Sequence, residues 1–219
     1  MTPVNSPADS KHPPTRPESR GLIAAAAAAI TLATLAAYHG SFSVPFFFDD
    51  TNAVVDNPTI RHLAHIGDVL SPPNDGGGVT GRPMVNLSLA LNYALGGTAA
   101  PGYHALNLLL HALAGLTLFG LVRRTLLLPA WHDRFGAGAL PVAFVAALWW
   151  TVHPLQTESV TCVVQRTELL VGLFYLLTFY CLARGSVCHL LNDKRQNLPH
   201  SANTDCHLID DNRIRPRAG

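Results

Sequence analysis

The fold is decided by the stretch GLIAAAAAAITLATLAAYHG, residues 21–40, which runs for twenty positions without a charged residue. At 1.5 Å per residue, a helix of this length crosses a hydrocarbon core of about 30 Å. A cleaved signal peptide is the alternative, but its apolar core measures about 7–15 residues and ends at a small-residue cleavage site. This run is longer and leads into Phe42 and the phenylalanines at 46–48. It therefore predicts an uncleaved transmembrane helix.

The composition agrees with a membrane protein. Of the 219 residues, 48% are hydrophobic and only 13% are charged, whereas soluble domains carry about 25% charged residues. The formal net charge is +1, which gives no reason to expect a nucleic-acid partner. Membrane lipids are the partner that this composition implies.

Three further apolar stretches predict helices over about 104–122, 136–152 and 167–183. The fold expected is an all-α membrane domain over 21–185, with about four transmembrane helices. A large loop over 41–103 separates the first two and contains two amphipathic segments. One is predicted to begin at Asn57-Pro58 and the other to cover Pro83–Leu95.

The basic residues predict the orientation. Twelve of the fifteen Lys and Arg residues flank one end of the predicted helices, and Arg61, Arg82 and Arg166 lie at the other. Cytoplasmic loops carry the excess of Lys and Arg. Both termini are therefore expected in the cytoplasm, while loops 41–103 and 153–168 face the opposite side. The membrane would be a bacterial inner membrane or the endoplasmic reticulum.

The two ends of the chain differ from the apolar middle. Residues 1–20 are rich in Pro, Ser and charge, and residues 186–219 are polar without a membrane run. Such compositions predict disorder. The four cysteines form no CxxC pair, and no HExxH spacing occurs, so no metal site is predicted. His104 and His111, seven residues apart, share one helix face with Asn107, which is expected to face the protein interior.

The residues that could carry chemistry lie in the two non-cytoplasmic loops. Asp49 and Asp50 directly follow the first helix; they mark either the entry into water or a base held at the membrane surface. Arg82 is either solvated or suited to phosphate. His153–Glu168 is unusually polar, and its charged residues either pair with one another or line a cavity. The topology predicts that Asp49, Arg82, His153 and Glu158 lie near one another.

Three segments resemble a known family. They are FFFDDTNAVVDNPTI (46–60), GRPMVNLSLALNYALGGTAAPGYHALNLLLHALAGLTLF (81–119) and ALWWTVHPLQTESVTCVVQRTELLVGLFYLLTFY (147–180). Their order resembles the membrane domain of the transmembrane and tetratricopeptide-repeat-containing O-mannosyltransferases and their bacterial relatives. The resemblance implies a C-type glycosyltransferase fold, which moves a sugar from a polyprenyl- or dolichyl-phosphate carrier to a protein or glycan hydroxyl on the non-cytoplasmic side, with inversion.

The resemblance also implies roles for individual residues. It makes Asp49 and Asp50 the catalytic acid pair, with the first as general base. The lipid-phosphate contacts would come from the predicted polar set: Arg82, His104, His153, Glu158 and Arg166. No cofactor is implied beyond the lipid-linked donor, and divalent-metal dependence stays open.

The chain also departs from the family pattern. Family members continue through more membrane helices and a helical repeat array, whereas here the pattern stops at Gly185. The prediction is therefore a truncated glycosyltransferase domain, with its activity alone left open. The alternative is a non-catalytic membrane fragment or partner-binding subunit. A small transporter or channel is a third alternative, but no internal inverted repeat supports it.

Overall fold

The computed structural model describes residues 19–74 and 76–196, and within these residues it contains helices and no strand. Side chains are described as far as residue 185. The α-helices are α1 (Arg20–Tyr38), α2 (Ile66–Val69), α3 (Pro83–Gly96), α4 (Ala100–Leu126), α5 (Pro129–Phe135), α6 (Ala139–Thr151), α7 (Thr157–Thr161) and α8 (Arg166–Gln196). Short 3-10 helices cover His39–Ser43, Pro58–Ile60, Gly136–Gly138 and Pro154–Gln156, and a π-helix covers Thr51–Val55.

Three helical segments are long and apolar enough to cross a membrane, namely Arg20–Ser43, Ala100–Leu126 and Arg166–Gly185. A fourth crossing is possible by the same criteria if Pro129–Thr151 and Pro154–Thr161 count as one span, bent by 50°. The all-α membrane fold with about four transmembrane helices is thus confirmed. The uncharged runs predicted it because a bilayer admits only segments that satisfy their own backbone hydrogen bonds.

Helix α4 lies at the centre of the bundle and packs against α1, α6 and α8. Two of its glycines allow this close packing. A Cβ atom at Gly115 would lie 2.6 Å from Oγ1 of Thr151 on α6, and one at Gly120 would lie 2.9 Å from the Tyr180 ring on α8. Small residues at such crossings let membrane helices approach, since lipid offers no hydrophobic force to press them together.

Two sequence predictions need correction. The disorder predicted from residue 186 is wrong for residues 186–196, because α8 continues to Gln196; residues 1–18 and 197–219 lie outside the described residues. The helix predicted from Asn57 is instead a 3-10 turn and the four-residue α2. Ile60 and Val69 are buried whereas Ile66 and Leu70 are exposed, so these side chains do not share one helical face.

The glycine contacts predict a stability difference between two helical positions. Gly115→Leu should push α4 away from α6 and cost about 1–3 kcal/mol, as overpacking typically does. Gly172→Leu is the matched control, because nothing lies within 4 Å of a Cβ atom placed at Gly172. Thermal denaturation in detergent, followed by size-exclusion chromatography, measures both. Equal loss of stability in the two variants would contradict this packing.

Candidate active site

The two loops predicted to share one side of the membrane meet at one end of the bundle. At this end the Tyr38 hydroxyl donates to the carbonyl of Thr151 at 3.2 Å, which joins the end of α1 to the end of α6. Nε2 of His104, near the start of α4, contacts the Val44 carbonyl at 3.0 Å. We call this region the site end; it contains the segment 44–99 and the segment 152–165.

The adjacent carboxylates Asp49 and Asp50 occupy different environments. Asp50 is only 2% exposed, and its two oxygens accept hydrogen bonds from the amides of Val163 at 3.1 Å and Val164 at 2.8 Å. These amides lie just before α8, where the helix dipole favours a negative charge. Asp50 therefore fastens the segment after α1 to the start of α8.

Asp49 is exposed, and its carboxylate has no hydrogen-bond partner among the residues that the structure describes. It lies in a turn closed by the Asp50 amide and the Phe47 carbonyl at 3.0 Å. Phe48, which precedes it, has a φ of 47°. A left-handed conformation costs a non-glycine residue about 1–2 kcal/mol, and such strain tends to be kept at functional sites. The free carboxylate is thus Asp49.

Arg166, predicted as a phosphate contact, is fully buried in this structure. Its guanidinium donates to Oδ1 of Asn107 at 2.8 Å, to Oγ of Ser88 at 3.3 Å and to the Tyr103 carbonyl at 3.0 Å. These neutral acceptors satisfy all three nitrogens and so reduce the cost of desolvating the charge. Arg166 forms no ion pair with Glu158 or Glu168. Through its hydrogen bonds to Ser88 on α3 and to Tyr103 and Asn107 on α4, it joins α8 to these two helices.

The polar face of α4 points inward as predicted, since His104, Asn107 and His111 are all buried. Each contacts a connecting segment or a neighbouring helix: Asn107 donates to the Cys162 carbonyl at 3.0 Å, and Nε2 of His111 contacts the Thr151 carbonyl at 2.8 Å. A carbonyl only accepts, so Nε2 carries the proton in both histidines. His104 is therefore enclosed by the fold and contacts the segment that follows the first span.

The thiol of the half-buried Cys162 responds to the charges of three carboxylates. Burial raises the pKa of its thiol, and the nearby charges of Asp50, Glu158 and Asp49 raise it further. Glu158 is exposed and accepts a weak hydrogen bond from Gln165 at 3.4 Å. Three of the predicted site residues thus act electrostatically on one thiol. No group of three metal-ligating side chains occurs in the part of the chain that the structure describes.

Arg82 lies two contacts away from the segment that binds Asp50. Its guanidinium donates to the Gly78 carbonyl at 2.6 Å. Gly78 in turn lies so close to Val164 that a Cβ atom on it would be 2.1 Å from Cγ2, and the Val164 amide is one of the two that bind Asp50. Arg82 itself is exposed. It is the predicted basic residue that stays accessible at the site end.

His153 contacts residues of its own neighbourhood rather than the predicted acidic residues. Its Nδ1 accepts the Leu155 amide at 3.2 Å, and its ring contacts Trp149 with centroids 6.0 Å apart. Among the described residues no contact joins it to Asp49, Arg82 or Glu158. His153 caps the turn after α6 instead, and the predicted convergence of these four residues stays a prediction.

Sequence reasoning missed two buried asparagines that shape the site end. Nδ2 of Asn57 donates to Oδ1 of Asn86 at 2.8 Å, and Nδ2 of Asn86 donates to the Val69 carbonyl at 2.7 Å. Both asparagines are at most 1% exposed. They tie the loop after Asp50 to α3. The NP and RP dipeptides around them marked helix starts but gave no sign of a tertiary hydrogen bond.

The two neighbouring aspartates should respond differently to the same substitution. Asp50→Asn removes acceptor capacity for two buried amides, and hydrogen bonds to a charged group contribute about 1.5–3 kcal/mol; we expect a clear drop in thermal stability. Asp49→Asn, its neighbour, should leave stability unchanged because the carboxylate is exposed. Thermal denaturation of both variants in detergent checks this, and a loss confined to Asp49→Asn would refute the assignment.

The Cys162 environment predicts slow alkylation. Only the thiolate reacts, so a raised pKa lowers the reactive fraction at neutral pH. With the other three cysteines replaced by serine, Glu158→Gln should shift the pH profile of maleimide labelling to lower pH and increase the rate at neutral pH. Glu168→Gln is the control, since Glu168 is not among the charges that act on Cys162. Identical profiles for the two variants would show that Glu158 lies elsewhere.

Comparison with known proteins identifies relatives of this membrane domain. The chain is 35% identical over 162 residues to Protein O-mannosyl-transferase Tmtc1 of Drosophila melanogaster, covering 71% of this chain and 17% of that protein. It is 33% identical over 182 residues to mouse TMTC1 (78% of this chain, 18% of the relative) and 32% identical over 157 residues to human TMTC4 (65% and 21%). No family model and no solved structure matches.

The site end and the helices define a multi-pass membrane domain with an exposed carboxylate beside its first span. Over about 70% of its length the chain is homologous to the TMTC protein O-mannosyl-transferases, which confirms the resemblance predicted from the sequence. The chain spans about a fifth of the length of the curated relatives it matches.

Proposed function

We propose that this chain carries part of a membrane glycosyltransferase site that moves a sugar, mannose by analogy with the relatives' names, from a polyprenyl- or dolichyl-phosphate carrier to an acceptor hydroxyl. The observation that supports it is the division of the acid pair, with Asp50 buried in the fold and Asp49 exposed next to the first span. A base at that place meets a donor whose reactive phosphate lies at the membrane surface.

The proposed chemistry is one inverting displacement. The Asp49 carboxylate takes the proton of the acceptor hydroxyl. At the same time the oxygen of that hydroxyl attacks the anomeric carbon of the sugar. The bond from that carbon to the phosphate oxygen breaks, and the carrier phosphate leaves with the electron pair. Since phosphate is a good leaving group, the remaining need is stabilisation of its charge.

Arg82 is the residue that we assign to the carrier phosphate. It is accessible, and its contact with the Gly78 carbonyl leaves further guanidinium N–H groups for a ligand. A guanidinium offers paired donors that suit phosphate. Glu158, predicted for the same contact, carries a charge of the same sign as phosphate and is left out of it.

Asp50, Arg166 and His104 act as positioning residues in this proposal. Asp50 fixes the turn that presents Asp49, Arg166 holds the start of α8 between α3 and α4, and His104 contacts the segment before the acid pair. Preorganised geometry of this kind lowers a barrier without touching the reactants.

The proposed orientation places the site end on the non-cytoplasmic side, which would be the lumen of the endoplasmic reticulum for a chain like its animal relatives. Arg123 and Arg124 lie at the far end of α4, as expected for the cytoplasmic end under the positive-inside rule. A lipid-linked donor and a protein acceptor would then meet at the site end.

The test is sugar transfer in membranes that contain the full chain. Asp49→Asn should lower the transfer of radiolabelled mannose from dolichyl-phosphate mannose to acceptor protein by about 10²–10⁴-fold, the usual contribution of a general base. Asp56→Asn serves as control. Asp56 is an exposed carboxylate of the same segment and is not among the charges that act on Cys162. Undiminished transfer by Asp49→Asn would show that the base is misassigned.

The alternative is a non-catalytic membrane domain that acts through a partner. No transfer by the unsubstituted chain, with the protein correctly inserted, would support this alternative. Transfer by purified, monodisperse protein would exclude it.

A further inference from the structure

The three phenylalanines before the acid pair point in different directions. Phe46 packs against the core of the site end, with its ring 5.3 Å from that of Tyr103. Phe47 and Phe48 turn away from the protein, and their side chains are 61% and 77% exposed. Their rings contact each other with centroids 4.2 Å apart. We call these two residues the Phe pair.

The Phe pair directly follows the first span. The first span ends at Ser43, only a few residues earlier, and no charged residue lies between Phe42 and Phe48. The end of α6 is at the same end of the bundle, and exposed Trp149 and Leu155 lie there. Trp is enriched at membrane interfaces, so Trp149 marks that level at this end of the bundle.

The backbone of the Phe pair is an independent observation. Phe48 has a φ of 47°, a conformation that a bulky residue rarely adopts and that glycine or asparagine would occupy at lower cost. Among the described residues its ring has one aromatic neighbour, Phe47. The protein thus holds an apolar ring outward in a strained turn without covering it.

We propose that the Phe pair inserts into the interfacial layer of the bilayer and thereby fixes the depth of Asp49 at the level of the lipid phosphates. Insertion removes the two exposed rings from water, which offsets the strain at Phe48. Asp49, the next residue, is then held beside the headgroups. The contact of the Phe pair with lipid does not depend on catalysis. That the resulting depth of Asp49 suits a lipid-linked sugar carrier rests on the proposed function.

Photo-crosslinking in membranes tests this contact. Benzoylphenylalanine replaces Phe47, Phe48 or Phe46 in the full chain, and mass spectrometry counts phospholipid adducts after irradiation. Positions 47 and 48 should give lipid adducts several-fold more often than position 46, whose ring should crosslink within the protein. Benzoylphenylalanine at His65, an exposed position of the loop, is a second control and should give few lipid adducts.

Three results would overturn the proposal: no lipid adducts at 47 and 48, equal lipid adducts at 46 and 48, or adducts at 48 that join a second protein. Repeating the label at Phe48 in the Asp49→Asn chain separates the two proposals. The lipid adduct should persist there unchanged, whereas the transfer reaction should be lost. Loss of the adduct in that chain would contradict the independence of the lipid contact.

Discussion

The site end depends on the two hydrogen bonds that the Asp50 carboxylate accepts from the amides of Val163 and Val164. They join segments more than a hundred residues apart, one after α1 and one before α8. A buried carboxylate is costly unless such donors surround it, and the nearby start of a helix lowers that cost further. With Asp50 held inside, the turn can present only its neighbour, Asp49, to the surface.

Helix α4 supplies the other half of this framework. Its buried face carries His104, Asn107 and His111, and each uses a side-chain nitrogen to hold a carbonyl of another segment. Asn107 also accepts from Arg166, so one amide contacts both the segment before α8 and the first residue of α8. In an apolar environment water cannot replace these hydrogen bonds, and a buried polar group without a partner is costly. This favours one arrangement of the loops over alternatives.

The sequence predicted the helices well and the side-chain environments less well. The spans follow from uncharged runs long enough for a bilayer, so α1 and α4 could be placed within a few residues. The position of the acid pair also followed from the chain. Which carboxylate is buried could not follow, because Asp49 and Asp50 share the same local sequence and differ only through amides contributed by residues 163 and 164. The burial of Arg166 and His104 could not be predicted for the same reason: their acceptors lie on other segments, and no local sequence pattern indicates them.

The central claim is that one aspartate of the pair is enclosed and the other is free, and carboxylate footprinting measures this most directly. Intact membranes would be treated with a water-soluble carbodiimide and an isotope-coded amine, and the extent of modification at each aspartate read by mass spectrometry. The account predicts rapid modification of Asp49 and protection of Asp50 until the protein is denatured. Modification of both at the same rate, or of Asp50 first, would contradict it.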